Sequence, residues 1–591
     1  MNTTNLITLN AEQQSFVALV AQQESCCLVG AAGTGKTTAV KEAISTLLDR
    51  NLTPTITAPT GSPNNPRLRT GIAGIVGCAF TRRAVANLRK NFPEELHDHC
   101  MTIHALIEFQ PVNYEVLDEE SGSIVTKMRF EPQRNKLNPL PHELTTIIIE
   151  EASMVGTDLF GLLLDAIPPN HKVQFVFLGD INQLAPVFGD SILGYKLLDL
   201  PTIQLTHVYR QALESPIIRL AHRIISGKQI LYPELSKPEA EGGEWQVEDK
   251  LTILNWKPKM SEWESEATAI AYLKREYLAG NFDPLNDMVL IPFNKAFGTV
   301  NLSKGIANFM DAATGKHPTE IIAGYQKQYF CVGDLVLHKN EEYVIAKIAP
   351  NMRYTGKPAR NYQYHFDRFG NPVGKKGATV ESQPEFVPTS KSAEQIIDDL
   401  IAGTNDTTQE EASHNIYLVR PGSIFDAISR VVKSKLGEEN ALATLTPEQL
   451  EDPATLAKVL TALDITYEKL LNTMADRPDM VSSEVCNTRG TVNYLSLAYA
   501  STCHKAQGLE ARKVFIIVHR SHGVLTTREW LYTAVTRAKE HLVILCERDT
   551  FMTGINKQQI KGTTLADKAE YFKGKQQAKA SLESNRKVAF S

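Results

Sequence analysis

The sequence predicts an α/β fold with an open sheet, in a chain divided among several domains. An apolar strand at 26–29 leads into a glycine-rich loop and then into an amphipathic helix. Two more apolar runs, at 146–149 and 173–178, are rich in β-branched or aromatic residues and end in small or charged residues, as buried strands of such sheets do. At 591 residues the chain is too long for one hydrophobic core, so several domains are expected.

The composition excludes several classes of protein. Hydrophobic residues make up 42% and charged residues 22%, as in a soluble globular protein. No stretch approaches the roughly 18 uncharged apolar residues of a membrane span, and the N-terminus lacks the layout of a signal peptide. The eight cysteines show no zinc-ligand spacing, which favours a reduced cytoplasmic interior. The net charge of −5 argues against coating nucleic acid by bulk attraction, yet it is compatible with a local basic groove.

The glycine-rich stretch GAAGTGKTT at 30–38 fits the phosphate-binding pattern G-x-x-x-x-G-K-[ST]. Its glycines let backbone N–H groups surround a phosphate, and the N-terminus of the following helix adds a partial positive charge. Lys36 is predicted to reach the β- and γ-phosphates, and Thr37 to place its hydroxyl on Mg²⁺. The other predicted contacts of this loop are Gly30, Gly33, Thr34, Gly35 and Thr38.

Two adjacent carboxylates, Glu150 and Glu151, follow the second apolar run. Such a pair at the end of a buried strand is costly unless a cation meets it. In P-loop ATPases a strand beside the first one ends in an acidic residue that holds Mg²⁺. Glu150 is therefore predicted to hold the metal, and Glu151 to be the base that orients the attacking water. A solvated loop after a strand is the alternative.

The third apolar run continues as GDINQLAPV at 179–187. A glutamine just past a strand that adjoins a metal site can sense a γ-phosphate by hydrogen bonding, which nominates Gln183. Gly-Asp at a strand end is also ordinary turn chemistry, so this indication depends on the two preceding motifs.

Six motifs occur in the order found in superfamily 1 helicases, and together they are far more specific than any one of them. They are GAAGTGKTT, EEASMV, GDINQLAPV, LTHVYRQA at 205–212, STCHKAQGLE at 501–510 and YTAVTRAKEHLVIL at 532–545. The chain resembles most the RecD and phage Dda group, whose members translocate 5′→3′. The resemblance implies two RecA-like P-loop domains with ATP between them.

The resemblance also implies roles for residues outside the first motifs. Arg210 and Arg537 match arginines that reach the γ-phosphate and stabilise charge in phosphoryl transfer. An isolated arginine would more often be a surface ion-pair partner, but these two lie inside VYRQ and VTRAK. The remaining nucleotide contacts implied by the family are Gln13, Tyr209, Gly508 and Glu510.

Single-strand contacts are implied by TAPTG at 57–61, MTIHAL at 101–106 and the motif that begins at 501. Single-strand grooves combine phosphate-binding donors with stacking platforms. A lone histidine is usually structural, so the histidines gain weight only from their motifs. The candidate DNA-binding residues are Pro59, Thr60, His104, Thr502 and His504.

The motifs also divide the chain into predicted segments. A first RecA-like domain is predicted at 1–190, with a β-hairpin insertion at about 110–135. The second RecA-like domain is predicted in two parts, at 200–325 and 489–550, which are separated by a small β-barrel with a helical extension at 326–488. A basic helical tail is predicted at 551–591. In the family the hairpin is a pin that splits the duplex, while a plain surface hairpin is the alternative. The stretch at 390–475 is predicted to be helical, either as a strut for the barrel or as a docking surface. The tail is expected either to follow DNA or to be a solvated helix.

The predicted function is that of an ATP-dependent DNA helicase that moves 5′→3′ on single strands and unwinds duplex in replication, recombination or repair. Its expected cofactors are ATP and Mg²⁺, and its expected partners are single-stranded DNA, a duplex fork and replication or recombination proteins, in the cytoplasm of a bacterium or a phage-infected cell. Two alternatives stay open: an RNA-directed helicase, and a slowly hydrolysing nucleotide-gated remodelling protein. The second arises because Glu150 stands where the family usually has Asp.

Overall fold

The computed structural model of the chain describes residues 9–62, 65–89, 91–117, 124–186, 189–208, 214–227, 242–257, 259–339, 341–352, 364–375, 411–437, 439–450, 453–476 and 484–589. The chain forms two compact units. One contains residues 1–258 together with 503–591, and the other contains residues 259–502. Among the described residues, no helix is long and apolar enough to span a membrane.

The N-terminal part of the first unit alternates helices and strands. Its helices are α1 (Ala11–Ala21), α2 (Lys36–Asp49), α3 (Arg82–Arg89), α4 (Ile103–Leu106), α5 (Thr157–Asp165), α6 (Ile192–Asp199) and α7 (Pro216–Ile225). Its strands are β1 (Cys26–Gly30), β2 (Gly61–Ser62), β3 (Asn65–Pro66), β4 (Ile75–Ala79), β5 (Cys100–Thr102), β6 (Phe109–Leu117), β7 (Ile124–Pro132), β8 (Thr146–Ile149), β9 (Gln174–Gly179), β10 (Thr202–Leu205), β11 (Glu244–Val247) and β12 (Leu251–Asn255).

The second unit is richer in antiparallel strands. Its helices are α8 (Glu262–Leu278), α9 (Thr299–Thr314), α10 (Pro421–Leu436), α11 (Pro447–Leu450), α12 (Pro453–Leu463), α13 (Tyr467–Ala475) and α14 (Arg489–Asn493). Its strands are β13 (Met288–Leu290), β14 (Thr319–Ala323), β15 (Gln326–Phe330), β16 (Leu335–His338), β17 (Glu341–Pro350), β18 (Tyr364–Phe366), β19 (Pro372–Lys375), β20 (Glu411–Val419), β21 (Glu484–Thr488) and β22 (Ser496–Leu497).

The C-terminal part of the chain returns to the first unit. It contributes strands β23 (Ala511–Val518) and β24 (Ala538–Cys546), and helices α15 (Arg528–Val535), α16 (Arg548–Asn556) and α17 (Leu565–Ala589). Strands β23 and β24 run parallel to each other, and β24 also pairs in parallel with β12. Strand β11 pairs with β12 in the antiparallel sense. A second sheet of this unit thus combines two stretches that are far apart in sequence.

The first sheet has six strands in the order β10-β1-β9-β8-β4-β5. All its pairings are parallel, so every strand ends at the same edge. Strands β1 and β8 are buried along their whole length because helices cover both faces of the sheet. The predicted α/β fold class is confirmed, and the glycine-rich loop after β1 lies at the same edge of the sheet as the charged residues that follow β8 and β9.

A long antiparallel hairpin interrupts the first domain between β5 and β8. Strands β6 and β7 have nine residues each, and their register runs from the pair Phe109 and Pro132 to the pair Leu117 and Ile124. The hairpin expected at about 110–135 is therefore present. Residues 118–123, which connect the two strands, lie outside the described residues.

The second unit contains an antiparallel sheet in the order β21-β20-β17-β16-β22. The antiparallel strands expected at 330–348 are present as β16 and β17. The expectation of a helical stretch at 390–475 is wrong for residues 411–419, which form β20. The side chains of this strand alternate toward a core that includes Ile416 and Leu418, and its backbone pairs with both β17 and β21. These pairings to distant strands override the local pattern.

The C-terminal helix α17 packs into the core of the first sheet. Phe572 belongs to that core and meets the ring of Tyr195 on α6 at 5.5 Å between centroids. A β-carbon on Gly194 would lie 2.2 Å from Cζ of Phe572. The absence of a side chain at this position is therefore what lets the two helices approach.

Gly194→Ala is expected to lower the thermal midpoint of the protein. Overpacking a core costs about 1–3 kcal/mol, which exceeds the roughly 1 kcal/mol that alanine gains over glycine inside a helix. The matched control is Gly161→Ala on α5, where a β-carbon meets nothing within 4 Å. That control should hold or raise the midpoint, and equal shifts in both variants would contradict the packing argument.

Candidate active site

The glycine-rich loop connects β1 to α2. Gly33 and Gly35 both have a φ of 80°, a left-handed conformation that costs about 1–2 kcal/mol for a residue with a side chain. A β-carbon on Gly30 would lie 2.5 Å from the hydroxyl oxygen of Thr34. Glycine at these positions keeps side chains out of the loop, so its backbone N–H groups can reach a phosphate at the N-terminus of α2.

Lys36 begins α2 and curls over the loop. Its ammonium donates to the carbonyl of Gly30 at 2.7 Å and to that of Ala31 at 3.2 Å. The hydroxyl of Thr34 donates to the same Ala31 carbonyl at 2.8 Å. These contacts fold the Lys36 side chain back onto the glycine-rich loop.

The remaining loop candidates differ in exposure. Thr37 is exposed and Thr38 is half-buried on the first turn of α2. Gln13 is buried on α1, and its side-chain amide donates to the carbonyl of Gly35 at 3.1 Å. Asn10 fixes this glutamine through a reciprocal cap at the start of α1. Gln13 therefore links α1 to the loop.

Glu150 follows β8, and its backbone N–H donates to the carbonyl of Cys78 at 2.8 Å. Burial raises the pKa of Glu150 to about 7, the neighbouring charge of Glu151 adds to this, and Lys36 acts in the opposite direction. A raised pKa means that the Glu150 carboxyl loses its proton less readily in the free protein. A bound divalent cation would stabilise the ionised carboxylate, because it supplies a positive charge beside it.

Glu151 stands in a left-handed conformation with a φ of 51°, just before the short 3₁₀ turn Ala152–Met154. Such a conformation costs a non-glycine residue about 1–3 kcal/mol and clusters at functional sites. Burial raises the pKa of Glu151, whereas the nearby cations Arg537 and Lys36 lower it. Two of the three predicted catalytic cations thus act on this carboxylate, and the third, Arg210, lies outside the described residues.

Asp180, at the end of β9, connects two parts of the site that the sequence analysis treated separately. It is buried, and one carboxylate oxygen accepts from the hydroxyl of Tyr532 on α15. The Tyr532 oxygen in turn accepts from the backbone N–H of Ala32 in the glycine-rich loop at 2.9 Å. A strand end, α15 and the loop are thereby joined by two hydrogen bonds.

Gln183 lies in the loop after β9, and its backbone N–H donates to the carbonyl of Asp180 at 3.1 Å. The side chain is 8% exposed, and among the described residues its amide oxygen has no hydrogen-bond partner. A buried acceptor without a donor is rare in folded proteins. It fits a water molecule beside a γ-phosphate, so the residues present suit a bound nucleoside triphosphate.

Arg537 follows α15 and is 4% exposed. Its guanidinium donates to the carbonyl of Thr533 at 3.0 Å and to the carbonyl of Leu509 at 3.1 Å. The Thr533 hydroxyl accepts from the backbone N–H of Leu184 at 3.0 Å, one residue past Gln183. The arginine is therefore held rigidly on an element that also touches the loop after β9.

Gly508 and Glu510 lie on the segment before β23. Gly508 has a φ of 77°, and its carbonyl accepts from the side-chain amide of Asn87 on α3. Glu510 is half-exposed, with a carboxylate oxygen 3.5 Å from the ammonium of Lys539. Its charge contributes to raising the pKa of Glu151, so Glu510 belongs to the same electrostatic cluster.

Several residues of the site were missed by the sequence analysis. Asp180 and Tyr532 were inside quoted motifs without a role, and their spacing of 352 positions gave no signal of contact. His222 on α7 lies 3.3 Å from the carbonyl of Ala32, and no motif marked it. Gln507 is buried, and its side-chain amide donates to the carbonyl of Leu184 at 3.1 Å.

The candidate DNA-binding residues are not equivalent. Pro59 is exposed, whereas Thr60 is buried with its hydroxyl accepting from the backbone N–H of Leu68 at 3.1 Å. His104 packs against Phe80 and Phe109, with centroids 5.8 Å and 4.9 Å away, and burial lowers its pKa.

The C-terminal pair of candidates is divided between the units. His504 belongs to the first unit, and burial lowers the pKa of its imidazole. Thr502 is buried and belongs to the second unit. Two further predicted nucleotide contacts, Tyr209 and Arg210, lie outside the described residues.

The metal would be held by few protein ligands. Among the described residues there is no group of three or more His, Cys, Asp or Glu side chains suited to a metal ion. Mg²⁺ usually keeps several waters and binds through one or two carboxylates plus substrate phosphates. Thr37 and Glu150, next to the phosphate cradle, match that requirement, with Glu151 as the further predicted ligand.

Two family models match parts of the chain. The AAA domain model matches residues 13–189, and the model of the UvrD-like helicase C-terminal domain matches residues 497–545. The first stretch contains the loop and both carboxylates, and the second contains Arg537. Fold and site together define a P-loop nucleotide-binding protein.

Relatives extend the comparison. The ATP-dependent RecD2 DNA helicase of Deinococcus radiodurans is 30% identical over 243 residues, 40% of this chain and 27% of that protein. The ATP-dependent DNA helicase dda of Enterobacteria phage T4 is 28% identical over 224 residues, 37% of this chain and 42% of that protein. The chain thus matches less than half of either relative's length. These relatives confirm the resemblance to superfamily 1 helicases of the RecD and Dda group.

A solved structure was also found to be similar. The Pif1 helicase from Bacteroides, in complex with ADP-AlF3 and ssDNA, has 15% sequence identity to this chain. The match covers 96% of this chain and 98% of that one, with a TM-score of 0.37. At that score the likeness supports no further conclusion.

Proposed function

We propose that the protein is an ATP-dependent DNA helicase that translocates 5′→3′ on single-stranded DNA and unwinds duplex. The observation that carries the proposal is the electrostatic cluster in the first unit. Lys36 and Arg537 both act on Glu151, and the buried amide oxygen of Gln183 has no hydrogen-bond partner within the described part of the chain. A motor that hydrolyses a nucleoside triphosphate needs this combination of cations, a base and a water-positioning group.

The chemistry follows from the residues present. ATP would supply the phosphoanhydride whose cleavage drives movement, and Mg²⁺ would offset the charge of its phosphates. Lys36 would bind the terminal phosphates, and Thr37 and Glu150 would hold the metal. Glu151 accepts a proton from the attacking water, and its raised pKa moves it closer to neutrality, where a general base is most effective.

Two more side chains respond to the terminal phosphate. Gln183 orients the attacking water through its free amide oxygen, and Arg537 offsets the charge that develops in the transition state. Both are attached to the loop after β9, since Leu184 is hydrogen-bonded to Thr533 and Arg537 is hydrogen-bonded to the same threonine. Thr533 on α15 thereby joins Arg537 to the loop that carries Gln183.

DNA is favoured over RNA as the track because the RecD2 and dda relatives are named as DNA helicases. Pro59 and His104 offer an exposed ring and a neutral imidazole beside two phenylalanines, which suits stacking on bases. Forked DNA and single strands are the proposed partners, and replication, recombination or repair is the proposed setting.

The test compares ATP turnover with single-stranded DNA, with RNA and without polymer, and then unwinding of duplexes that carry a 5′ or a 3′ tail. We expect DNA to stimulate turnover and only the 5′-tailed duplex to open. Equal stimulation by RNA would favour an RNA-directed helicase. Slow turnover that no polymer changes, with tight ATP-dependent binding, would favour a nucleotide-gated remodelling protein.

The hairpin of β6 and β7 is proposed to be the pin that splits the duplex. Its strands pair over nine residues, and Phe130 near its base is 60% exposed. A pin obstructs one strand sterically, so it should matter for strand separation and hardly for movement along a single strand.

Shortening this hairpin should uncouple unwinding from ATP turnover. Because Asn113 pairs with Met128, residues 114–127 can be replaced by an Asn-Gly turn that closes the remaining strands in register. We expect DNA-stimulated ATPase activity to survive and unwinding of a 5′-tailed duplex to fall several-fold. A parallel loss of both activities would mean that the hairpin is a folding element of the first domain, and no loss of either would move the splitting function elsewhere.

A further inference from the structure

The C-terminal helix α17 carries a lysine that the proposed mechanism does not use. Lys568 is 4% exposed, and its ammonium donates to the carbonyl of Ile181 at 3.2 Å and to the side-chain oxygen of Asn182 at 2.7 Å. Lysine is almost never fully buried without partners, because its charge loses hydration. Here both of these partners are neutral oxygens of the loop that follows β9.

Two negative charges oppose the effect of burial on the pKa of Lys568. Burial lowers its pKa, whereas the negative charges of Glu529 and Asp180 act in the opposite direction. The Glu529 carboxylate is itself buried and accepts from the backbone N–H groups of Gln559 and Ile560, at 3.0 and 3.2 Å. The carboxylate of Glu529, which belongs to α15, is therefore a buried group held near Lys568.

Hydrogen bonds lead from this lysine to the phosphate-binding loop. Asn182 donates from both its backbone and its side-chain nitrogen to one oxygen of Asp180, at 2.9 and 3.0 Å. The other Asp180 oxygen accepts from Tyr532, which binds the backbone N–H of Ala32. The lysine thus fixes one end of a chain of polar contacts whose other end is the glycine-rich loop.

The helix does not depend on Lys568 to stay in place. Phe572 lies in the core of the first sheet, and the Lys575 ammonium binds the Asp190 carboxylate at 2.6 Å. A buried lysine would be an expensive way to attach a helix that already has an apolar anchor and an ion pair. The hydrogen bonds of Lys568 are therefore better explained as a restraint on the loop after β9 than as an attachment of α17.

We propose that Lys568 is a positioning residue that holds the loop from Asp180 to Leu184, and with it Gln183, in the geometry required for nucleotide hydrolysis. This inference rests on the ATPase activity of the proposed function. Without the Lys568 ammonium, the side-chain oxygen of Asn182 loses its hydrogen-bond donor. The loop would then be less restrained next to Gln183, whose side chain has to position a water molecule. Gln183 acts in hydrolysis rather than in nucleotide binding, so turnover should suffer more than affinity.

The decisive variant is Lys568→Met, which keeps an unbranched side chain of similar length and removes the charge. We expect kcat for ATP to fall roughly ten- to hundredfold, as small misplacements at active sites do, with KM changed by less than about twofold. Two matched controls lie on the same helix. Lys575→Met removes the ion pair to Asp190, and Lys573→Met alters an exposed lysine paired with Glu570. Both controls should keep kcat.

A second measurement does not require activity. Hydrogen exchange of the backbone amide of Asn182, which is bonded to Asp180, should accelerate in Lys568→Met and stay unchanged in Lys573→Met. In the background Asn182→Ala, adding Lys568→Met should cost less than it does in the wild-type protein, because Lys568 keeps only its hydrogen bond to the Ile181 carbonyl there. If the wild-type protein hydrolyses no ATP, the proposed function fails, and the exchange experiment still decides whether the lysine holds the loop.

Two results would overturn the inference. One is a folded Lys568→Met protein with wild-type kcat and unchanged exchange at Asn182. The other is an equal loss of kcat in Lys568→Met and Lys575→Met with an equal fall of the thermal midpoint, because that would make the lysine merely one of the contacts that attach the helix.

Discussion

Lys36→Ala is expected to abolish ATP turnover while single-stranded DNA binding survives. The Lys36 ammonium is hydrogen-bonded to two carbonyls of the glycine-rich loop, which is the predicted site of the terminal phosphates. Losing a charge-stabilising donor of this kind costs at least about a hundredfold in rate. The substitution keeps a strong helix former at the first position of α2, so the fold should be retained. Steady-state ATPase assays and fluorescence anisotropy with a labelled single strand measure the two properties.

Lys41→Ala is the matched control for this prediction. Lys41 lies on the same helix one turn later and is exposed, so its replacement should leave both properties unchanged. Near-normal turnover in Lys36→Ala would contradict the assignment of the loop. Loss of DNA binding together with turnover would mean that the phosphate site and the single-strand site are not separate surfaces.

The sequence was sufficient to predict the local features of the fold. The strand, loop and helix at 26–49, the buried run ending at Glu150 and the hairpin of β6 and β7 follow from periodicity and turn residues within short windows. The α/β class followed from the same windows. The strand at 411–419 was mistaken for helix because its strand character comes from pairing with β17 and β21, which no local pattern records.

The contacts that assemble the site could not be predicted from the sequence either, because they join residues that are far apart along the chain. Asp180 looked like a turn residue, and only the fold brings Tyr532 against it. Lys568 belonged to a tail described by charge alone, yet its side chain is buried against the loop after β9. Motifs predict which residue types a site needs, whereas long-range packing decides which residues support them.

Glu151→Gln is expected to eliminate most ATP turnover and to leave nucleotide affinity nearly unchanged. Glutamine preserves the shape of the side chain and its capacity to accept a hydrogen bond, but it does not take a proton from water. Loss of a general base costs about 10²- to 10⁴-fold. Because glutamine meets the same backbone strain as glutamate at a φ of 51°, a change in stability should not obscure the result. Binding of a fluorescent ATP analogue and single-turnover hydrolysis separate the two effects, with Glu42→Gln on the exposed face of α2 as the control.

Glu150→Asp tests the other carboxylate of the pair, and its outcome decides which residue has which role. If Glu150 holds the metal, aspartate keeps the charge and matches the residue that the helicase family usually has, so turnover should be retained or should rise. Burial raises the pKa of Glu150 most, and the charge of Glu151 raises it further. Neutralising Glu151 should therefore lower the pKa of Glu150 and strengthen metal binding, while hydrolysis fails. If Glu151→Gln is instead fully active and Glu150→Asp is inactive, the base is Glu150. The left-handed backbone conformation of Glu151 would then serve to orient the side chain of Glu150.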